Sequence, residues 1–532
     1  MSFVLPLHLQ HEWAHLSVLE AIGDPARAVQ IMTALFLVLI GSVLWLLRSP
    51  FRSDVHKLPS INPVPWFRSS TEAKRAFLTS STRLFARARV LFPNTPYRML
   101  TDLGDVLDFH GRIPGFEAMT QFGGPLLRNV ARKQLNKYLW KLTEPLSEEG
   151  SHAISTNFGE SSGKKLIASV HEVFKQKFPR LTGSEEWSEL TLKPQILDVV
   201  ARMSSRVFMG NQLCRDPHWL TITKGYTVNL FFAATKLRVY PRSLRPLVHW
   251  FLPECRNIRE QYRAAHSVIE PVLAKRRRIR QQVTQAGKPA PYFDDALDWA
   301  DEEAERLGVE YNHEAFQLML SMAAIHTTTD LLVQVMLDLA QHPELLPIVR
   351  GEIVRVLKED GWGKNALDRL VTLDSLIKES QRLKPVSMAA MRRLATASIT
   401  LSTGLTIPKG TRTFVDSYPM RDSTVYTDPE TWDPERFLRL RSQPGKERSS
   451  LLVNTSADHL GFGHGIFACP GRFFAANEMK VALCHILIKY EWELAEGTDV
   501  RPLVLGAATM ANPGARIRIR KRSDPEIDLD TL

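Results

Sequence analysis

Cysteine is scarce in this 532-residue chain: only Cys214, Cys255, Cys469 and Cys484 occur, too few and too scattered for a disulfide scaffold. No Cys-x-x-Cys pair is present, which argues against a cysteine zinc site. A reducing, cytosol-facing compartment is the economical reading, with most of the cysteines serving as plain buried apolar residues. Internal repeats are absent, and no low-complexity stretch follows residue 67. The net charge of +11 raises nucleic acid as a partner, yet no zinc-finger or RNA-recognition signature accompanies it, and no nucleic acid is expected. The basic runs Lys275-Arg276-Arg277-Arg278 and Arg518 to Arg522 read as coats of solvated elements. The excess positive charge suits a membrane or an acidic protein partner. With 44% hydrophobic and 23% charged residues the chain can bury a sizeable core, which excludes a disordered chain.

Long charge-free runs are also lacking, with one exception. Val29 to Leu47 gives nineteen positions without a charge, close to the 20 or so that a bilayer-spanning helix needs. Arg48, Arg52 and Lys57 follow it, against one acid, Asp54, and the preceding segment is acidic (Glu12, Glu20 and Asp24 against Arg27). The positive-inside rule then leaves residues 1–28 lumenal and the carboxy-terminal part cytosolic, a single-pass arrangement suited to the endoplasmic reticulum. Residues 48–66 read as a proline-rich linker, in which Pro59, Pro63 and Pro65 stiffen Lys57 to Trp66 into an extended connection.

From residue 67 to 532 the chain reads as one large, mainly α domain with small peripheral sheets. Helical patterns cover Trp187 to Phe208, Arg256 to Gln282 and roughly Asn312 to Gln341. The last is apolar on most sides, with Phe316, Leu320, Ile325, Leu331, Val335 and Leu339 among its residues. Ile399-Thr400-Leu401 and Leu405-Thr406-Ile407 flank a Ser-Thr-Gly turn and read as a hairpin, and Arg516 to Arg520 alternates as a strand. Phe231 to Pro253, with Phe231, Phe232, Trp250 and Phe251, reads either as a buried helix pair or as a membrane-dipping substrate entrance.

The densest local signal is Phe462-Gly463-His464-Gly465-Ile466-Phe467-Ala468-Cys469-Pro470-Gly471-Arg472-Phe473-Phe474-Ala475. Its glycines permit a tight turn and close approach of a flat ligand to backbone. Pro470 suits the first position of a following helix, Gly471 to about Tyr490. Cys469 at that helix start would favour a thiolate, as a metal ligand or as a nucleophile with His464 as its local base.

This run resembles the haem-binding loop of the cytochrome P450 family, with Phe462, Gly465, Cys469 and Gly471 matching position by position. The resemblance implies haem (iron protoporphyrin IX) held by Cys469. Phe467 departs from it, standing where the family has an arginine or histidine for a haem propionate. Glu-x-x-Arg occurs five times and alone says nothing: at Glu72, Glu260, Glu303 and Glu352 it reads as an ordinary helical ion pair. Only Glu379-Ser380-Gln381-Arg382 has the family's order, followed by Pro434-Glu435-Arg436-Phe437. The resemblance gathers Glu379, Arg382 and Arg436 into a buried network behind the cysteine loop. It also gives Arg392 a propionate contact made more important by Phe467.

Ala323-Ala324-Ile325-His326-Thr327-Thr328-Thr329-Asp330 resembles the family's oxygen-side stretch. Thr327 matches the threonine that serves dioxygen activation; its plain alternative is a hydroxyl back-bonded to its own helix. His326 replaces an acid and is either a proton relay or structural. Together the motifs imply a monooxygenase inserting oxygen into an apolar small molecule, with NADPH electrons from a separate membrane-bound reductase. The flavours Ala-Ala-Ile-His-Thr-Thr and Ala-Cys-Pro-Gly-Arg-Phe-Phe-Ala resemble fungal members acting on terpenoid or indole-terpenoid secondary metabolites. The rivals are a reductase-independent haem-thiolate isomerase or dehydratase, which Thr327 argues against, and a non-catalytic haem sensor.

Overall fold

The computed structural model describes residues 54–64, 70–92, 96–101, 104–108 and 187–532, apart from gaps at 241–243, 363–364, 396, 402–403 and 466–467. Thr33, Phe36, Leu37, Val38, Ile40, Val130, Glu149 and Ala153 are also described. The expected lumenal segment, most of the expected anchor, part of the linker and Phe467 lie outside these residues. The chain divides into two compact units, residues 1–59 with 395–410 and residues 60–394 with 411–532. In the smaller, strands β5 (Ile399–Thr400) and β6 (Thr406–Ile407) form the expected antiparallel hairpin.

The larger unit is built on helices α1 (Thr71–Leu91), α2 (Leu192–Leu213), α3 (Pro217–Arg238), α4 (Pro253–Gln285), α5 (Ala296–Leu307), α6 (His313–Gln341), α7 (Leu346–Asp360), α8 (Val371–Leu383) and α9 (Arg472–Lys489). α6 starts where Asn312 caps it, its side chain accepting the Ala315 N–H at 2.7 Å. Its 29 residues span about 44 Å at 1.5 Å per residue. It is long and apolar enough to cross a bilayer, but most of it is buried inside the fold: it is the core helix, packed against α2, α3, α4 and α8. α3 begins on Asp216, which accepts the Trp219 N–H at 2.7 Å, with Pro217 in its first turn.

Among the described residues the larger unit carries three small sheets. β1 (Arg98–Thr101), β2 (Gly104–Asp108), β7 (Arg412–Asp416) and β4 (Ala389–Leu394) form one in that order; β2 and β7 are parallel, the other pairs antiparallel. β9 (Leu503–Leu505) pairs with β10 (Ala508–Met510), and β3 (Ser188–Thr191) and β8 (Tyr490–Leu494) flank β11 (Arg516–Lys521). Here the helical expectation from Trp187 fails for its first turn. Residues 188–191 form a strand because Arg516 bridges Glu189 at 2.6 Å and Trp187 lies within 5.3 Å of both the Arg518 and Arg520 guanidinium carbons. Arg518 and Arg520 pair with Glu493 and Glu491, so the carboxy-terminal basic run is an ion-paired, solvated face.

Ahead of the proline-rich connection Asp54–Lys57 is a helical turn, and Asn62 makes paired 2.8 Å bonds to the Leu100 backbone along the edge of β1. Pro470 is not the first helical residue, because α9 starts at Arg472 with Gly471 as its cap. Phe231, Phe232, Trp250 and Phe251 are 56–73% exposed, which excludes the buried-pair reading of that segment.

Candidate active site

The cysteine loop is closed by its own backbone. Gly463 N–H donates to Leu460 O at 2.8 Å, Ala468 N–H to Gly465 O at 3.0 Å, and Cys469 N–H to Phe462 O at 2.8 Å. Such a coil needs left-handed backbone, which Gly463 and Gly465 supply at φ 67 and 71. A Cβ at Gly465 or Gly471 would meet no atom within 4 Å, so both leave the backbone open to a flat ligand. Burial pushes the Cys469 thiol up, while the Gly471 N–H, the Arg472 charge and the Arg472 N–H pull it down. The net direction is upward, so the helix start alone does not outweigh burial, and a bound cation is what would complete the thiolate. His464 Nδ1 faces Thr455 Oγ1 at 3.3 Å and is not among the groups that shift the thiol. Among the described residues no group of three or more His, Cys, Asp or Glu could hold a metal. One sulfur donor on an open glycine loop fits an iron whose other ligands come from a macrocycle.

Behind the loop, α8 is buried along nearly its whole length. The structure brings Glu379, Arg382 and Arg436 together. Arg382 Nε and Nη2 grip both Glu379 oxygens at 2.8 Å, and Arg436 Nε reaches Glu379 Oε1 at 3.1 Å. The remaining guanidinium donors go to backbone: Arg382 to Met420 O (2.7 Å) and Pro429 O (2.6 Å), Arg436 to Asp428 O and Thr431 O (3.1 Å each). One bidentate fork and one further Nε–H on a single carboxylate, with carbonyls taking the other donors, satisfy the buried charges. Of the other Glu-x-x-Arg pairs, Glu303 and Arg306 do pair. Glu352 instead accepts the Thr372 and Leu373 N–H groups at 2.8 and 3.1 Å, capping α8.

On α6, Ala323 and Thr327 are exposed, one turn apart, in a helix mostly buried. They form a small-residue face open to a ligand. Thr327 Oγ1 donates to Ala323 O at 2.8 Å, so its proton is committed and its lone pairs remain to accept. Thr329 makes the same back-bond to Ile325 O at 2.7 Å. His326 points away from that face: its Nε2 lies 2.9 Å from Lys224 O on α3, and burial lowers its pKa. This is a neutral clasp between helices, and a proton relay would be left with Nδ1. Arg392 sits on β4 at a bulge, where the register to β7 slips between Ala390 and Arg393 and Met391 adopts φ 50. Its guanidinium reaches Ser387 Oγ at 3.0 Å and Ala389 O at 3.2 Å.

Sequence reasoning passed over Lys378, Asp374 and Arg472. Lys378 directly follows Leu376 and Ile377 on a helix buried along nearly its whole length, and a lysine next to that apolar pair was the available signal.

This combination of fold and site defines a haem-thiolate protein class. The cytochrome P450 family model matches residues 150–518, more than half of the chain. Cytochrome P450 monooxygenase hepE of Aspergillus oryzae is 39% identical over 96% of this chain and 93% of its own length. Cytochrome P450 monooxygenase 2 of Gibberella fujikuroi is 41% identical over 89% of this chain and 91% of its own length. In fold, a retinoic-acid-bound cyanobacterial CYP120A1 structure superposes with a TM-score of 0.56 at 18% identity, covering 87% of this chain and 99% of that one. The chain belongs to the cytochrome P450 family. It is a haem monooxygenase, an oxidoreductase that incorporates an atom of molecular oxygen.

Proposed function

We propose that Cys469 ligates the haem iron of a membrane-anchored monooxygenase acting on an apolar secondary metabolite of terpenoid type. The carrying observation is the closed cysteine loop, which presents one sulfur and otherwise open backbone beside a carbonyl-satisfied arginine lock. With a thiolate ligand, haem supplies dioxygen activation for insertion of one oxygen atom into the substrate. Phe462, Gly465 and Gly471 form the cradle, and Arg392, re-aimed by its bulge, neutralises a propionate. Ala323 and Thr327 line the substrate side, where the Thr327 hydroxyl accepts a hydrogen bond and orders the proton supply.

Electrons come from NADPH through a separate membrane-bound reductase, whose acidic face suits the +11 charge. Residues 29–47 anchor the chain in the endoplasmic reticulum membrane with the catalytic part cytosolic. Phe231, Phe232, Leu247, Trp250 and Phe251, all exposed, make a second apolar contact with the bilayer around the substrate entrance.

The test is the carbon monoxide complex of the reduced protein, which should show the red-shifted band of thiolate-bound haem. Cys469→His should abolish that band while retaining some haem, and a retained band would overturn the assignment. Product formed without dioxygen or reductant would favour the isomerase reading instead.

A further inference from the structure

Lys378 has no role in the family motifs, yet it is fully buried on α8 and directs its ammonium at backbone alone. Nζ lies 2.9 Å from Ser449 O, 2.6 Å from Leu451 O and 3.0 Å from Asn454 O, with the Phe437 ring centroid at 5.1 Å. An ammonium has three donors, and here three carbonyls of one turn receive them. Asp374, one helical turn earlier, accepts the Leu452 N–H of the same turn at 2.8 Å and pairs with Lys480 of α9 at 2.5 Å. The turn is therefore held from α8 at four backbone atoms.

The far side of that turn carries the cysteine loop. Arg472 Nε donates to Val453 O and its Nη1 to Cys469 O, both at 2.8 Å. Thr455 meets His464 of the loop at 3.3 Å. A continuous chain of hydrogen bonds thus runs from Lys378 through residues 449–455 and Arg472 to the carbonyl of Cys469. Burial pulls the lysine down to about 7 and Asp374 opposes the shift, while the three carbonyls favour the charged form.

We propose that Lys378 is a positioning residue for the thiolate ligand, fixing the 449–454 turn that fixes Arg472 and, through it, the backbone of Cys469. The inference rests on the assignment of Cys469 as the iron ligand. A buried lysine that merely fills the core would affect global stability and nothing else. A lysine that positions the ligand would alter sulfur ligation at constant haem.

Lys378→Met keeps an unbranched side chain, one heavy atom shorter, and removes all three donors. The holoenzyme is compared with Val356→Ala, a core truncation on α7 that removes none of the hydrogen bonds of the turn or the loop. In K378M the carbon monoxide complex should move from the thiolate band toward the neutral-thiol band about threefold more than in V356A at matched thermal stability. Amide exchange across residues 452–472 should quicken about tenfold, with β11 unchanged. Arg472→Met should give the same spectral change, and the double variant should be no worse than either single. If K378M does not accumulate, Lys378→Gln, which keeps two donors without charge, should give an intermediate shift.

A K378M or K378Q band and exchange pattern identical to that of V356A would overturn the proposal, and so would additive effects of Lys378 and Arg472. These outcomes are separable from failure of the ligand assignment. If C469H loses the thiolate band and K378M leaves it intact, only the Lys378 proposal falls.

Discussion

Thr327 shows how one hydroxyl limits the chemistry open to it. Because its proton is bonded to Ala323 O, the group serves as an acceptor and orders whatever donates to it. Thr327→Val keeps volume and branching and removes that acceptor. The variant should retain haem and consume NADPH with a reductase but yield more hydrogen peroxide and less product. Proton steps of this kind are commonly worth about 10²–10⁴-fold, so product yield per NADPH is a sensitive readout. Unchanged coupling would move the role to another group. At Arg392 the strained Met391 is the informative neighbour: a bulge held at φ 50 turns the next side chain out of the strand's alternation. Arg392→Ala should lower haem occupancy, and adding Phe467→Arg should restore part of it; full occupancy in the single variant would remove Arg392 from the site. The meeting of Glu379, Arg382 and Arg436 was legible in the sequence because each sits in a patterned run. Lys378 and Asp374 were not, because their partners are main-chain atoms of a turn some 75 residues away, which carry no sequence signature.

Among the elements, α6 and the hairpin could be read directly from period and turn residues, and Asn312 marked the helix start as its side chain requires. The failures were at boundaries. Residues 188–191 became a strand because cross-strand ion pairs outweighed a helical pattern, and Glu352 left its helical partner to cap α8. The anchor also belongs to this scale. A chain beginning at Arg48 lacks the apolar run of residues 29–47 and should partition far less into membranes. Attachment that remains should disappear when Trp250 and Phe251, both exposed, are changed to serine. Tight membrane association surviving both changes would place the anchor elsewhere; sedimentation with vesicles measures it.

For the whole molecule, the buried ionisable groups set a pH dependence. Glu478, fully buried on α9, accepts the Ser204 hydroxyl at 2.7 Å, and its Oε2 has no partner among the described residues. Burial raises its pKa to about 8, with the Ser204 bond pulling the other way. The unfolded chain releases this proton near pH 4.5, whereas the folded protein keeps it to about 8. Its contribution to stability is therefore full below the lower value and is lost as pH rises through the upper one. Glu478→Gln keeps the acceptor and cannot ionise. The melting temperature of the native protein should fall relative to E478Q between about pH 5 and pH 8.5, and parallel curves would show that Glu478 is ionised throughout.

The clamp of α8 on the 449–454 turn also bears on how the molecule comes into being. Leu452 and Asp374 are 78 residues apart, and contacts of that range close late because the loop entropy must be met before any bond rewards it. A newly made chain thus acquires its helices while the sulfur still lies on an unformed loop. With Cys469 as the iron ligand, haem capture is expected at the end of folding. Haem scarcity would therefore leave a helical but open apoprotein, with α8 and the cysteine turn exposed to proteases and to each other's counterparts in neighbouring chains.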